Sequence, residues 1–259
     1  MSALMHFDGL DLRRVEEIGL NALQTQLQLF YDGWLLRVSP GKAKRGRSVN
    51  AHFGSTLPLT QKIPYCERIY AERGLPVLFR ITPFLHPPQL DAELETRGYE
   101  MFENTQVQLA HLAYPPETRS VPGIEFMAAA PAAFADAVGE LQQTTPAQRA
   151  AFLERLLHSP LRMRTVIAVM EGRPVGTGAV MLEDGLAGVF TMGTAPDLRA
   201  RGIASAILAA MLAWAWEHGA THAYLQVSAD NHRAVSVYRR FGFVDAYAYH
   251  YRGRPGECH

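Results

Sequence analysis

Between residues 194 and 204 the chain reads Thr194-Ala195-Pro196-Asp197-Leu198-Arg199-Ala200-Arg201-Gly202-Ile203-Ala204. The run Leu186 to Thr194 before it has strand composition, and the apolar stretch Ile203 to His218 after it reads as a helix closed by Gly219. The segment is therefore a strand-to-helix junction. Gly202 and Ala204 are small, so little obstructs the backbone N–H groups of Gly202, Ile203, Ala204 and Ser205 at the start of that helix. Consecutive N–H groups at a helix N-terminus form a concave donor set for a pyrophosphate. Ala200 belongs to the same cradle. Arg199 and Arg201 on either side of it can add charge-assisted bonds to phosphate oxygens or stand as solvated arginines. The segment has neither the lysine of a nucleotide-binding P-loop nor the full glycine set of a dinucleotide fold.

Working outward, Arg164 to Met170, Pro174 to Leu182 and Leu186 to Thr194 read as three strands. The turns Glu171-Gly172-Arg173 and Glu183-Asp184-Gly185 suit hairpins, because glycine supplies the positive φ that tight turns require. The expectation is an antiparallel meander. Upstream, Ala128 to Ala137 and Pro146 to Leu157 read as helices. Downstream, Ala223 to Val227 reads as a strand, Arg233 to Phe241 as a helix ended by Gly242, and Tyr247 to Tyr251 as a last strand. Asn231 falls between strand and helix, where its side chain can cap the helix or reach a ligand. Tyr238 lies two helical turns further along the same face, either a core tyrosine above the sheet or a hydroxyl available to chemistry.

From Arg164 to Tyr249 these motifs, in this order, resemble the GNAT superfamily of N-acetyltransferases. The core motif of that superfamily has Arg or Gln, two residues, Gly, one residue, and Gly or Ala, and Arg199, Gly202 and Ala204 fit it. The resemblance implies that acetyl-CoA is the acyl donor. The backbone of Met192, Gly193 and Thr194 would hold the pantetheine arm, the residues from Arg199 to Ser205 would hold the pyrophosphate, and Asn231 would complete the site. It also implies direct attack of an amine on the thioester, with the oxyanion held by a backbone N–H of Met192 to Thr194 and the departing thiolate protonated by Tyr238 as general acid. No metal is needed for that chemistry, and no metal-ligand spacing is visible. Gly188 to Thr194 contains no carboxylate to serve as general base, so a water chain is the expected route for the proton. Glu183 and Asp184 read as turn residues, and His222 as a strand-edge histidine.

The first half reads as alternating elements: a helix over Asp11 to Phe30, strands at Trp34 to Val38 and Ser48 to Phe53, and a helix from Leu59 to Arg73. A strand Val77 to Ile81, a helix Gln89 to Arg97 and a strand Asn104 to Leu112 follow. Tyr114 to Ser120 combines prolines with polar residues and reads as a linker. It separates an N-terminal domain, residues 1–115, from a CoA-binding domain, residues 120–259. Leu94-Glu95-Thr96-Arg97-Gly98-Tyr99 and Tyr238-Arg239-Arg240-Phe241-Gly242-Phe243 share a helix end, which fits a diverged duplication as well as the commonness of Gly-aromatic at helix ends. The expected fold class is α/β (α+β), a mixed and mostly antiparallel sheet flanked by helices in two tandem GNAT-like domains. The first-half counterpart of the phosphate loop, Gly54 to Leu59, contains Pro58, which removes a donor. That half is expected not to bind CoA but to wall the acceptor pocket as a degenerate copy. The basic loop Lys42 to Arg47 can recognise an acidic acceptor or the cofactor's 3'-phosphate, or lie solvated and mobile. Trp34, Phe53, Phe79 and Phe84 are expected in the core.

Twenty-five Lys and Arg balance twenty-five Asp and Glu across 259 residues. That zero formal charge removes the general electrostatic case for nucleic-acid or anionic-membrane partners. Cys66 and Cys258 match no redox or metal spacing and are expected as unpaired thiols in a reducing cytoplasm. No window approaches the ~20 apolar residues that cross a bilayer, and no leader-like segment is visible at the start. The expected partners are a CoA thioester and an amine acceptor. The acceptor is a primary amine of a small molecule in the first reading and of a protein in the second, with a non-catalytic CoA-binding module as the alternative. A homodimer is an expectation of the family resemblance alone.

Overall fold

The computed structural model describes residues 6–25, 27–39 and 43–256. The chain divides into two compact units, the first made of Met1–Ala22 and Val107–Ala246 and the second of Leu23–Gln106 and Tyr247–His259. The Tyr114 to Ser120 segment thus lies inside the first unit instead of dividing the chain. The reason is topological: the opening segment belongs with the second half, and the closing strand with the first half.

In the first unit, β1 (His6–Phe7) and β2 (Leu10–Asp11) form a hairpin leading into α1 (Leu12–Asn21). The expected helix from Asp11 to Phe30 therefore stops at Asn21. Asp11 caps it through a 2.9 Å bond from the Arg13 N–H, and the apolar spacing beyond Leu23 belongs to a strand of the second unit.

The second unit continues with β3 (Gln28–Tyr31), β4 (Trp34–Arg37), β5 (Val49–Asn50), α2 (Leu59–Ala71), β6 (Phe79–Ile81), α3 (Leu90–Thr96) and β7 (Glu100–His111). Its strands β3, β4 and β5 are antiparallel, whereas β5 and β6, joined through α2, are parallel. Trp34, Leu36, Val49, Phe79, Leu90 and Leu94 are buried in one core with Ile63, Cys66 and Tyr70 of α2. Trp34, Phe79 and Phe84 are buried as expected, but Phe53 is 43% exposed and packs at 6.5 Å centroid distance against Phe30, which is also exposed. Cys66 is a free thiol, and burial pushes it up to about 12. Lys42 and Cys258 lie outside the described residues.

The first unit resumes after β7, part of which it holds, with β8 (Glu125–Ala128), α4 (Pro131–Gln142) and α5 (Pro146–Leu157). It continues through β9 (Arg162–Met170), β10 (Arg173–Glu183), β11 (Leu186–Thr194), α6 (Ile203–Glu217), β12 (His222–Ser228), α7 (His232–Arg239) and the start of β13 (Val244–Gly253). Strand β8 and the β1–β2 hairpin were not visible in the sequence. Its strand order is β7-β12-β11-β10-β9-β8, with β11 and β12 parallel and β8 to β11 antiparallel. Both faces are covered. Val166, Ala168, Val180 and Val189 pack with Ile203, Ile207 and Met211 of α6, whereas Ile167, Ala179 and Met181 pack with Phe134 of α4 and Leu156 of α5. A strand buried on two faces reads as a continuous apolar run, which is how β9 to β11 look in sequence.

The two halves repeat one plan: an antiparallel set, a helical crossover to a parallel strand, a helix and a closing strand. The ends of α3 and α7 agree in detail. Gly98 (φ 78) and Gly242 (φ 81) are left-handed, and the N–H of the following aromatic residue returns to Leu94 at 3.0 Å and to Tyr238 at 3.3 Å. The two halves thus share a helix ending as well as an element order. The final strand of each half changes unit, since Val107–His111 of β7 lies in the first unit and Tyr247–Gly253 of β13 in the second, antiparallel to β6.

Candidate active site

The site is built where two parallel strands part. β11 and β12 pair from Leu186 opposite His222 to Val189 opposite Leu225, and no further. Beyond Val189 the β12-facing edge of Phe190 to Thr194 has no described strand paired to it. A bulge reinforces this. Ala179 pairs with Phe190 but Thr177 pairs with Gly193, which leaves Thr191 and Met192 opposite Gly178. Thr191 sits at φ 55, costly for a β-branched residue, and its carbonyl oxygen accepts a 3.1 Å bond from the buried Thr177 hydroxyl.

At the end of β11 the chain turns through Pro196–Leu198 into the loop before α6. The Ala195 N–H donates to the Val175 carbonyl at 2.9 Å, and Arg173 pairs with Asp197 at 2.7 Å, holding that carboxyl below its ordinary pKa. Ala200 (φ 64) and Gly202 (φ 86) are both left-handed. A Cβ on Gly202 would meet only Val121 at 4.0 Å, so conformation and not space demands glycine there. Helix α6 then starts with no side-chain cap and no acidic residue in its first turn, so the N–H groups of Ile203, Ala204 and Ser205 have no intrahelical acceptor. The Ile203 side chain is buried, so this residue can serve a ligand only through its backbone. Arg199 and Arg201 are exposed beside this donor set.

The helix stands close because β10 is notched. A Cβ on Gly176 would lie 2.8 Å from Ile203 Cγ2, and one on Gly178 would lie 2.5 Å from Ile207 Cγ2 and 3.0 Å from Met192 Sδ. These glycines let α6 settle on the sheet with its N-terminus at the parted end of β11.

Asn231 caps α7, its Oδ1 accepting the Ala234 N–H at 3.2 Å. Of its two expected roles the structure displays this one. Tyr238 is buried in the same core as Val189, Ile203 and Val227, and burial pushes its hydroxyl up to about 12. Glu183 is taken up by Asn21 at 3.0 Å and Arg14 at 3.1 Å, and Asp184 (φ 51) forms the hairpin turn with Gly185, as expected of turn residues.

The second unit differs at the corresponding positions, although its α2 also starts without a side-chain cap. Its counterpart of Tyr238 is Leu94. At the turn before α2 the Asp32 carboxylate already accepts the N–H groups of Thr56 at 3.0 Å and Leu57 at 2.8 Å, with the Lys62 ammonium at 2.8 Å. An internal anion fills the turn that corresponds to the phosphate loop. In the described part of the basic loop, Lys44 is bound to Glu103 at 2.6 Å. Sequence reading missed the Thr191 bulge, the Asp32 carboxylate and a gathering of Asp8, His111 and His222. Gly176-Thr177-Gly178 inside a strand of branched residues was the available signal for the first.

No described helix is long and apolar enough to cross a membrane. Residues 10–252 match the family model described as "Probable histone acetyltransferase Rv0428c C-terminal". The chain is 25% identical over 247 residues to the "Uncharacterized N-acetyltransferase YobR" of Bacillus subtilis, covering 93% of this chain and 98% of that one. Over 76 residues it is 42% identical to a mycothiol acetyltransferase of Clavibacter sepedonicus, covering 29% of this chain and 25% of that one. Among solved structures, a GCN5-related N-acetyltransferase from Kribbella flavida superposes with TM-score 0.68 at 18% identity, covering 94% of this chain and 95% of that one. A tandem GNAT protein from the clavulanic acid pathway superposes with TM-score 0.61 at 16% identity over 80% of this chain and 74% of that one. The chain belongs to the family of the Rv0428c C-terminal model, within the GCN5-related N-acetyltransferases, and is an acyltransferase.

Proposed function

We propose that the chain transfers an acetyl group from acetyl-CoA to the primary amine of a small molecule, using the opening between β11 and β12 of the first unit. The observation that carries this reading is the parting of β11 from β12 after Val189 and Leu225, ending at an uncapped helix N-terminus. The backbone edge of Met192 to Thr194 would receive the pantetheine amides. The N–H groups from Gly202 to Ser205, with Arg199, Ala200 and Arg201, would receive the pyrophosphate. The donor set suits a multiply charged anion, since nothing acidic competes in the first turn of α6.

In the reaction the amine attacks the thioester carbonyl, and a backbone N–H at the Thr191 bulge meets the developing oxyanion. Tyr238, held protonated by burial, gives its proton to the departing thiolate. No carboxylate lies on Phe190 to Thr194, so the ammonium loses its proton to water. The buried, unpaired Cys66 accords with a reducing cytoplasm as the setting. Acetyl transfer from labelled acetyl-CoA to a panel of amino acids, polyamines, amino sugars and lysine peptides tests the acceptor class. Transfer to small amines supports the reading. Exclusive transfer to peptides replaces it with a protein acetyltransferase, the activity that the matched family's description names. Absence of transfer with intact acetyl-CoA binding leaves a non-catalytic CoA module.

A further inference from the structure

The first unit brings together Asp8, His111 and His222, residues widely separated in the chain, so that one ligand atom of each lies within 4.8 Å of the others. The placement follows from the fold. Asp8 (φ 49) and Gly9 (φ 82) form the tight turn between β1 and β2, His111 ends β7, and His222 opens β12. The Leu112 N–H donates to the Thr221 carbonyl at 2.7 Å, which keeps the two strand ends side by side.

The geometry points to a binding site for a divalent transition cation of the zinc class, with Asp8, His111 and His222 as its three protein ligands. Asp8 Oδ2 is 3.3 Å from His222 Nε2 and 3.6 Å from His111 Nδ1. Tetrahedral zinc with bonds of about 2.0–2.1 Å needs ligand atoms roughly 3.3 Å apart, so two edges are nearly in place. Turning the half-exposed His111 ring closes the third. The Thr221 hydroxyl lies 3.0 Å from His222 Nδ1, where it fixes the ring and leaves Nε2 for the metal, the usual outer-shell support of a ligating histidine. The two imidazoles stack with centroids 5.0 Å apart, and one divalent ion would satisfy both rings and the carboxylate. His222 pairs with Leu186, at the end of β12 remote from its separation from β11, which makes the cation a clasp for the β1–β2 hairpin and not a participant in acyl transfer.

The test is calorimetric titration of the chelator-treated full chain with Zn²⁺, with Co²⁺ absorption and thermal unfolding alongside. The expected result is one Zn²⁺ per chain, a tetrahedral Co²⁺ spectrum and a higher unfolding temperature with Zn²⁺. Asp8→Asn and His111→Ala alter half-exposed side chains and leave the fold intact by circular dichroism. Each should weaken Zn²⁺ by more than the ~10 to 100-fold that loss of an outer-shell partner costs. His158→Ala, at an exposed helix end, should change nothing. Absence of Zn²⁺ binding by the parent, or undiminished binding by both ligand variants, would overturn the assignment.

Discussion

The hydroxyl of Thr177 donates to the carbonyl oxygen of Thr191 at 3.1 Å, tying β10 to β11 at the point where their register shifts. That bond pins a left-handed, β-branched residue where the acyl group is proposed to lie. Thr177→Val keeps the shape and removes the donor. We expect a loss of about 1–2 kcal/mol of stability, and kcat/KM lower by ~10² if the bulge moves by an ångström. Thr177→Ser should retain most of both. Wild-type kcat/KM in the valine variant would separate the bulge from catalysis.

Gly178 faces α6 so closely that a methyl group would collide with Ile207, Met211 and Met192. Gly178→Ala should cost about 1–3 kcal/mol, the usual cost of overpacking. It should also weaken acetyl-CoA binding, because the helix start and Met192 are displaced together. Denaturant unfolding beside cofactor titration checks both.

Tyr238→Phe should cut turnover by ~10² to 10⁴ with little change in acetyl-CoA affinity. The pH profile carries a second signature. Burial pushes this hydroxyl up to about 12, so kcat should show no falling limb from Tyr238 in the neutral to mildly alkaline range. It should rise with pH as the acceptor amine loses its proton. Unchanged turnover in the phenylalanine variant removes the general-acid role.

Asp32 and Lys62 make a different prediction, for stability. Lys62, with no exposed side chain and its ammonium 4.1 Å from the Trp34 ring, has its pKa lowered by burial despite the Asp32 contact, whereas Asp32, chiefly through Lys62, falls far below the usual range. A depressed carboxyl stabilises above its unfolded pKa near ~3.9 and loses that contribution as pH falls toward its folded value. Asp32→Ala should therefore destabilise at pH 7 and flatten the acid limb of the stability curve. Adding Lys62→Met should restore much of the loss by removing the unpaired charge. No change in melting temperature on Asp32→Ala would contradict the role.

Much of the first unit was legible because its signals are local. The glycine-closed turns between β9, β10 and β11 and the glycine after α6 each fix a boundary through neighbouring residues. The strand-to-helix junction from Thr194 to Ala204 was legible for the same reason. What escaped depends on contacts distant in sequence. Leu27 and Phe30 continue a helical spacing, yet the chain has already left α1 for β3. Asp32 reads as a turn residue, and only the fold aims its carboxylate at the N–H groups of Thr56 and Leu57. The exchange of final strands leaves no local mark, so the proline-rich segment at Tyr114 to Ser120 reads as a linker although both its ends lie in the first unit.

The loop before α6 is proposed to hold the pyrophosphate of acetyl-CoA. Calorimetric titration of the parent, of Gly202→Ala and of Gly202→Glu tests it most directly. All three titrations follow a check that the variants unfold cooperatively, since either substitution strains a backbone at φ 86. Tight binding is expected of the parent, weakened binding of the alanine variant, and none of the glutamate variant, whose carboxylate would occupy the place of the phosphate. Equal binding by parent and glutamate variant would contradict it.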